Sequence, residues 1–184
     1  MYISSWSGGK DSCFACYKAL QAGYEVTYLV NFISKEYKRV SFHGIQPELI
    51  QLQSIALDVP LLQKGTSRAG YDHDFKEVVR SLKDEDIKGI VLGDIYSHRL
   101  KEWADTVCFD LGLKAFEPLW GKNPEDVVRD FLDAGFEAII VSAQSRVINK
   151  EWVGCPVSVQ LIDYLEWCRM SIMDTKAHPT NNPA

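Results

Sequence analysis

Short apolar runs alternate with longer amphipathic stretches along most of the chain. The apolar runs have the length of buried strands, and the stretches between them repeat apolar residues at helical spacing. The predicted strands are residues 2–6, 26–32, 60–62, 87–92, 114–116 and 136–142, and the predicted helices are residues 11–22, 47–57, 74–82, 100–111 and 124–134. Strands and helices in this alternation build a mostly parallel sheet with helices on both faces. The sequence therefore predicts a doubly wound α/β fold.

Ligands of doubly wound sheets bind at the carboxyl ends of the strands. The residues that we expect along that edge are Ser7, Gly8, Gly9, Lys10, Asn31, Asp94 and Trp120. On the first helix, the apolar spacing predicts that Phe14, Ala15 and Leu20 face the interior.

The loop after the first strand, in the stretch YISSWSGGKDS, has the composition of a phosphate site. A loop that opens a helix aims unpaired backbone N–H groups at one point, and two glycines let a bulky anion approach closely. Lys10 adds a positive charge, Ser7 and Ser12 add hydroxyl groups, and Asp11 could hold Mg²⁺ through water. The spacing is neither that of the Walker A loop nor Gly-x-Gly-x-x-Gly. The alternative is a tight turn in which Asp11 caps the helix.

Residues 7–12 read SGGKDS, which resembles the signature of the PP-loop (N-type) ATP pyrophosphatase superfamily. The resemblance implies a Rossmann-like fold of the adenine nucleotide alpha hydrolase type. It also implies that the loop grips the pyrophosphate end of ATP while the bond between the α- and β-phosphates is cleaved. An acceptor oxygen is then adenylated, and a nitrogen or sulfur nucleophile displaces AMP.

Further segments are similar to one branch of that superfamily, the diphthine–ammonia ligase family. They are Phe42-His43-Gly44, Glu48-Leu49-Ile50, Gln53, Pro60-Leu61, residues 89–95, Ser97, Val107-Cys108, Leu111-Gly112-Leu113, Pro118-Leu119-Trp120, Gly135-Phe136 and Trp152-Val153-Gly154. The resemblance implies an AMP-forming amide ligase that uses ATP, Mg²⁺ and ammonia or an amine donor. In an archaeal or eukaryotic source it also implies a protein acceptor, the diphthine side chain of translation elongation factor 2.

The same resemblance implies the site residues. Catalytic roles fall to Lys10, Asp11 and Asp94, and metal binding to Asp11 and Asp94. Nucleotide binding falls to Ser7, Gly8, Gly9, Lys10, Asp11, Ser12, Asn31, His43 and Gly93.

Two segments depart from the family pattern. Residues 98–103 read HRLKEW, where the ligases usually carry tyrosine, glutamine and arginines. Near the C-terminus, residues 164–168 read YLEWC, and a polar tail follows where the family has a segment rich in glycine and glutamate. From this difference we expect an altered acceptor side, and a nucleotide-binding protein without turnover is one alternative. Apolar surface left by a shortened C-terminus would favour a homodimer.

Several other residues have both a functional and a structural interpretation. Cys13 and Cys16 form a C-x-x-C pair, but no second pair stands at metal-ligand spacing, so small core residues are the favoured interpretation. Arg99 and Lys101 could meet phosphates or an anionic acceptor, or belong to a solvated helix face. Trp103 and Trp120 could stack on a base or pack in the core.

Composition narrows the class of protein. Apolar residues make up 46% and charged residues 24%, which is typical of soluble globular proteins. The longest apolar runs, such as residues 138–141, are far too short for a membrane span, and no secretory signal is expected. Five cysteines without a disulfide framework favour a reducing cytoplasm.

The formal charge of −5 makes nucleic acid an unfavoured partner, and it counts against a second alternative, tRNA modification by sulfur transfer. For the organisation of the chain, the sequence predicts a nucleotide-binding domain over residues 1–119, a smaller acceptor-side subdomain over 120–176 and a disordered tail over 177–184.

Overall fold

A five-stranded parallel sheet forms the centre of the fold, with strand order β3-β2-β1-β4-β5. The computed structural model describes residues 1–82, 85–143 and 148–165. The strands are β1 (Tyr2–Ser5), β2 (Val26–Ser34), β3 (Leu61–Thr66), β4 (Gly89–Val91) and β5 (Lys114–Phe116). The helices are α1 (Lys10–Gln21), α2 (Pro47–Leu57), α3 (Tyr71–Ser81), α4 (His98–Leu111) and α5 (Pro124–Asp133), and a 3₁₀ helix covers Lys150–Trp152.

β1 is the central strand, and the order of the strands reverses beside it. Tyr2 pairs with Val26 of β2 on one side and with Gly89 of β4 on the other, both in parallel. The crevice at such a reversal, above the carboxyl ends of the two strands, is where open α/β sheets bind ligands. The loops after β1 and β4 therefore flank the position expected for a ligand.

The core lies between the sheet and its helices. Ile3 and Ile90 from the sheet pack with Phe75 of α3 and Val107 of α4 in one buried cluster. Helices α3 and α4 contact each other, while α1 contacts β1, β2 and β4 and α2 contacts β2. Burial of this apolar area is the main force that holds the helices on the sheet.

The structure confirms the predicted α/β class and most of its elements. The bounds of α2 and β5 agree with the predicted ones, and the other strands and helices of the sheet layer differ at their ends. The segment predicted as a strand at residues 136–142 is not a strand of the sheet. It forms an isolated antiparallel bridge between Ile139 and Pro156, and backbone hydrogen bonds join Ala138 and Ile140 to residues 154–157. Leu20 is also not an interior residue: it is 48% exposed, because it lies on the outer side of α1 near its end.

The chain divides into two compact units, Met1–Val127 and the part from Val128 onward. In the second unit, Phe131 and Phe136 stack with ring centroids 5.1 Å apart, and Arg129 lies 3.6 Å from Asp163. The predicted domain boundary after residue 119 stays a prediction, and the predicted tail lies outside the described residues. Among the described residues, no helix has both the length and the apolar character needed to cross a membrane.

Candidate functional site

The loop of residues 7–9 connects β1 to α1 and is shaped by two glycines. Gly8 has a φ of +81°, a left-handed conformation that favours glycine. Gly9 is the N-cap of α1, and no side chain caps the helix there. The capping role that the alternative interpretation gave to Asp11 is therefore not present. The first N–H groups of α1 have no side-chain acceptor, which is the condition for anion binding at a helix N-terminus.

The hydroxyl groups of Ser7 and Ser12 hold the loop together. Ser12 Oγ donates to Gly9 O at 3.0 Å, and it accepts from the backbone N–H of Ser7 at 3.3 Å. Ser7 Oγ lies 3.1 Å from Ser12 Oγ and 3.0 Å from His43 Nε2. Because Ser12 already donates to Gly9, Ser7 donates to Ser12, and His43 Nε2–H is then the donor to Ser7.

Gln53 of α2 fastens the same loop from the other side. Its Oε1 accepts from Trp6 Nε1 at 2.8 Å, and its Nε2 donates to Gly8 O at 3.2 Å. Ile50, one turn earlier, lies so close that a Cβ at Gly8 would be 2.3 Å from Ile50 Cδ1. Sequence reasoning assigned Gln53 no role, although it stands three residues after Ile50 and so on the same helix face.

Lys10 and Asp11 form an ion pair at the start of α1. Lys10 Nζ lies 2.6 Å from Asp11 Oδ1, and the two side chains are 30% and 37% exposed. Both groups are therefore open to exchange this neighbouring partner for a bound anion and its counterion.

His43 lies against the loop of residues 7–9, on the segment that follows β2. A Cβ at Gly9 would be 2.3 Å from His43 Nε2, so the imidazole occupies the space that a side chain at Gly9 would fill. Burial lowers the pKa of His43, the charge of Asp11 acts in the opposite direction, and Lys10 lowers it further. The imidazole is thus held in its neutral form near pH 7.

Gly93 and Asp94 follow β4 on the other side of the crevice. A Cβ at Gly93 would lie 2.7 Å from the carbonyl carbon and oxygen of Asp11, so only glycine lets this loop approach α1. Asp94 is partly buried, and its pKa is raised by burial first and then by Glu117 and Asp11. The charges of two other carboxylates therefore act on Asp94 at this end of the sheet.

Glu117 follows β5 and is bound by Lys101 of α4. Lys101 Nζ lies 2.6 Å from Glu117 Oε2, and the Glu117 side chain is only 8% exposed. Its second oxygen, Oε1, is buried without a hydrogen-bond partner among the described residues.

Asn31 is not on the rim where the sequence placed it. It is 1% exposed, its Nδ2 donates to Trp6 O at 2.8 Å, and its Oδ1 accepts from Gln63 Nε2 at 3.1 Å. The reason is the position of Asn31 within β2, which continues to Ser34. Asn31 thus supports the residue before the loop from below.

A cavity of about 870 Å³ opens above these loops. Of the predicted site residues, it is lined by Ser7, Asp11, Ser12, His43, Gly93 and Asp94. Gly8, Gly9, Lys10 and Asn31 do not line it. Trp103 lines the cavity and packs on Tyr71, whereas Trp120 lies outside it, with its ring 5.6 Å from that of His98. Arg39 and Arg68 also line the cavity, and sequence reasoning did not single them out.

The oxygen donors at this site suit Mg²⁺, which commonly takes one or two carboxylates together with phosphate oxygens and water. Asp11 and Asp94 offer such donors, and burial, followed by repulsion from Glu117 and Asp11, raises the pKa of Asp94. A cation there would relieve that repulsion.

Within the described residues, the one cluster of three close ligand groups is elsewhere, at His73, Asp74 and Glu77. Lys64 offsets the charge of that cluster, because its Nζ lies 2.8 Å from Glu77 and 3.9 Å from Asp74.

Cys13 and Cys16 lie on α1, and the chemistry of their thiols is suppressed. Burial, followed by the charge of Cys16, raises the pKa of Cys13 to about 11. Burial also raises the pKa of Cys16. The thiolate forms needed for redox or metal chemistry are therefore disfavoured.

Comparison with known proteins gives a consistent result. The model of the family described as "Diphthamide synthase N-terminal domain" matches residues 2–115. Human diphthine–ammonia ligase is 26% identical over 166 aligned positions, covering 79% of this chain and 62% of the human protein. The protein of the same name from Schizosaccharomyces pombe is 27% identical over 167 positions, covering 80% of this chain and 28% of its own. The chain thus spans less than two thirds of the length of these relatives.

Among solved structures, a predicted subunit of tRNA methyltransferase from Methanocaldococcus jannaschii aligns with a TM-score of 0.49 and 17% identity, covering 78% of this chain and 80% of that one. The family model covers more than half of the chain and includes both loops that flank the crevice. The chain therefore belongs to the diphthamide synthase N-terminal domain family.

Proposed function

We propose that the protein is an ATP-dependent, AMP-forming C–N ligase of the diphthine–ammonia ligase type. The observation that carries this proposal is the uncapped N-terminus of α1, which opens beside the strand reversal at the edge of a large cavity. Backbone N–H groups at that position favour a polyanion. The relatives bear the name of an ammonia ligase, which supplies the reaction class.

In this proposal the loop holds the pyrophosphate part of ATP. Lys10 exchanges its partner Asp11 for a phosphate oxygen and stabilises the charge that builds up on the leaving pyrophosphate. An oxygen of the acceptor carboxyl group attacks the α-phosphorus, and the bond to pyrophosphate breaks. Ammonia or an amine then attacks the acyl carbon, loses a proton, and AMP leaves with the carboxyl oxygen.

Asp11 and Asp94 would hold Mg²⁺, directly or through water. When bound, the metal neutralises phosphate charge and orients the polyphosphate chain. The close approach of Gly93 to Asp11 brings the two loops together, and this supports a shared cation site.

His43 would serve as a neutral hydrogen-bond donor to the nucleotide. Its Nε2–H now points to Ser7 Oγ, 3.0 Å away, and a small rotation of the ring would redirect it to a phosphate oxygen. Since burial keeps the pKa of His43 low, we assign it a hydrogen-bonding role.

The acceptor is inferred from the name of the relatives. By analogy with the relatives' name, a diphthine side chain of a protein is the acceptor if the source is archaeal or eukaryotic, with ammonia or an amine as donor and the cytoplasm as compartment. Sulfur transfer to tRNA is the weaker alternative, because Cys13, the cysteine nearest the loop, has a pKa raised to about 11.

The test is calorimetric binding of a non-hydrolysable ATP analogue with Mg²⁺. A charge-assisted hydrogen bond contributes about 1.5–3 kcal/mol, so Lys10→Ala should weaken binding roughly 10- to 100-fold. Lys18→Ala is the matched control on the same helix, because Lys18 Nζ lies over the Phe14 ring, 4.8 Å from its centroid.

A second measurement separates turnover from binding. Release of AMP and pyrophosphate in the presence of ammonium and an acceptor supports the ligase. Release of ADP and phosphate rejects it, and tight binding without pyrophosphate release favours a nucleotide-binding protein without turnover.

A further inference from the structure

We propose that the cavity carries a subsite for a second anionic group of the acceptor, formed by Arg39, Arg68 and Arg99. This inference rests on the proposed function, since it concerns the part of the cavity that the nucleotide loop does not occupy. The acceptor class that it predicts is a carboxylic acid that bears a further carboxylate or phosphate on an apolar body. Such an acceptor would take the place of diphthine, so the inference rests on the ligase reaction class of the proposed function and not on its diphthine acceptor.

The distribution of cations around the cavity is selective. The first unit contains four arginines, at positions 39, 68, 80 and 99, and three of them line the cavity. None of the described lysines lines it. A planar guanidinium matches the two oxygens of a carboxylate or phosphate, whereas lysine offers only a point charge. The cavity wall therefore has the cation that suits recognition of such groups.

These three guanidinium groups are also available. Within the described part of the chain, no carboxylate lies within 4.0 Å of Arg39, Arg68 or Arg99. The cations that do have carboxylate partners at that distance are Lys10, Lys64, Lys76, Lys88, Lys101 and Arg129. Among the described residues, an anion that enters the cavity thus meets no competing carboxylate at the three arginines.

The strand order places Arg68 farther from the loop of residues 7–9 than Arg39. Arg39 lies on the segment after β2 and Arg68 on the segment after β3, and the strand order places β3 two strands from β1. Adjacent strands are about 4.8 Å apart, so the end of β3 is roughly 10 Å from the end of β1. The backbone at Arg68 is therefore set back from a phosphate held by the loop after β1. Arg99 lies on α4, five residues after Asp94, and faces the same cavity.

An aromatic wall lines the cavity beside the arginines. Tyr71 lies with its ring centroid 5.5 Å from Trp103 and 6.1 Å from Phe42. Phe42 is 72% exposed and has a φ of +75°, which is unfavourable for a bulky residue. Such strain is concentrated at ligand-binding positions, and here it presents an aromatic ring to the cavity. The wall accounts for the apolar body of the predicted acceptor.

The cavity is also large. Its volume of about 870 Å³ lies near the upper end of the range of about 300–1,000 Å³ that is usual for ligand pockets.

The experiment measures binding of glutarate and of its monomethyl ester by ligand-observed NMR, with the protein saturated by a non-hydrolysable ATP analogue and Mg²⁺. Glutarate carries two carboxylates and the ester one, at nearly the same length. We expect glutarate to bind about 10-fold more tightly, and 4-phosphonobutyrate tests whether phosphate serves equally well. Arg39→Gln and Arg68→Gln should abolish this preference. Arg80→Gln, an exposed arginine outside the cavity, should leave it unchanged.

Two results would overturn the inference. One is equal affinity of the wild-type protein for glutarate and for the ester. The other is a loss of nucleotide affinity in Arg39→Gln and Arg68→Gln, since the arginines would then serve the polyphosphate. If the protein prefers glutarate but binds no nucleotide, the anion subsite is supported and the proposed function is rejected.

Discussion

The imidazole of His43 lies directly over Gly9, and a methyl group at Gly9 would be 2.3 Å from His43 Nε2. Gly9 has a φ of −95°, which alanine adopts without strain, so the obstacle to a side chain there is the imidazole itself. Gly9→Ala should therefore displace His43, lower the stability of the fold and weaken nucleotide binding. In a His43→Ala background the same substitution should cost much less. Coupling energies between contacting residues are about 0.5–3 kcal/mol, and denaturant unfolding of the four variants measures this one.

Gly8→Ala is the matched control for that cycle. Gly8 has a φ of +81°, and forcing a left-handed conformation on alanine costs about 1–2 kcal/mol in any background. Removing His43 should not rescue Gly8→Ala. If Gly9→Ala is equally damaging with and without His43, the assigned contact is wrong.

Gln53 should set the shape of the phosphate loop through two hydrogen bonds. Gln53→Glu keeps an acceptor for Trp6 Nε1 and loses the donor to Gly8 O, whereas Gln53→Leu loses both. Because a buried unsatisfied donor costs about 1–3 kcal/mol, Gln53→Leu should be destabilised and should bind the ATP analogue more weakly. Trp6 is 3% exposed, so its fluorescence should shift if the indole loses its partner.

The control for Gln53 is Gln51→Ala, because Gln51 is exposed on the same helix and bonds Gln63 at 3.2 Å. A Gln53→Leu protein with unchanged nucleotide affinity would show that the loop keeps its shape without this contact.

The pair of Lys101 and Glu117 should be costly to break on one side only. Lys101→Met leaves a carboxylate that is 8% exposed without its partner, and such losses destabilise by about 3–5 kcal/mol. The double variant Lys101→Met/Glu117→Leu should recover most of that stability, because no unpaired charge remains buried. Chemical denaturation ranks the free energies of unfolding of the wild-type protein, Lys101→Met and the double variant.

Lys76→Met serves as the comparison for Lys101→Met. Lys76 pairs with Asp72 and Asp110, whose side chains are 50% and 41% exposed. Because solvent screens these two carboxylates once the lysine is removed, this substitution should have a smaller effect than Lys101→Met. Equal losses for the two lysine variants would contradict the assigned burial of Glu117.

Because the pKa of Asp74 is lowered in the folded protein, the protein should lose stability in acid. A hydrogen bond from Thr66 lowers the pKa of Asp74, burial opposes this effect, and Lys35 and Lys64 lower the pKa further. The ordinary pKa of an aspartate is about 3.9, so the unfolded chain takes up a proton at higher pH than the folded protein does. The stability that Asp74 contributes is present above about pH 5 and is lost as the pH falls through the unfolded and then the folded pKa.

Asp74→Asn should flatten this dependence. Thermal unfolding between roughly pH 6 and pH 3 measures the slope for both proteins. An unchanged slope in the variant would show that other carboxylates produce the acid sensitivity.

The fold could be predicted from sequence wherever local patterns decide it. α2 begins at Pro47 and ends before Asp58, and both ends agree with the apolar spacing and the proline in the first turn. The segment from Phe136 to Ser142 has the composition of a strand as well. It pairs with residues 154–157 over too short a length to form a strand, and composition does not specify how far such pairing extends.

The candidate site was predictable only in part. The motif of residues 7–12 identified the loop because glycines, a lysine and serine hydroxyl groups are the residue types that suit phosphate binding. Asn31 is polar and lies in a strand that ends at the expected ligand edge. It nevertheless faces the interior, because its amide donates to Trp6 O and accepts from Gln63. The roles of Gln53, Arg39 and Arg68 depend on which loops meet in space, and no local pattern records that.

The position of β1 between β2 and β4 also has a consequence for the order of assembly. Residues 7–12 are synthesised well before Gly89, which pairs with Tyr2, and before Gly93, which completes the wall against Asp11. Until the chain has passed residue 93, the crevice lacks one of its two sides. The proposed nucleotide would therefore bind only after residue 93 has been made, and its binding would report that the sheet is assembled.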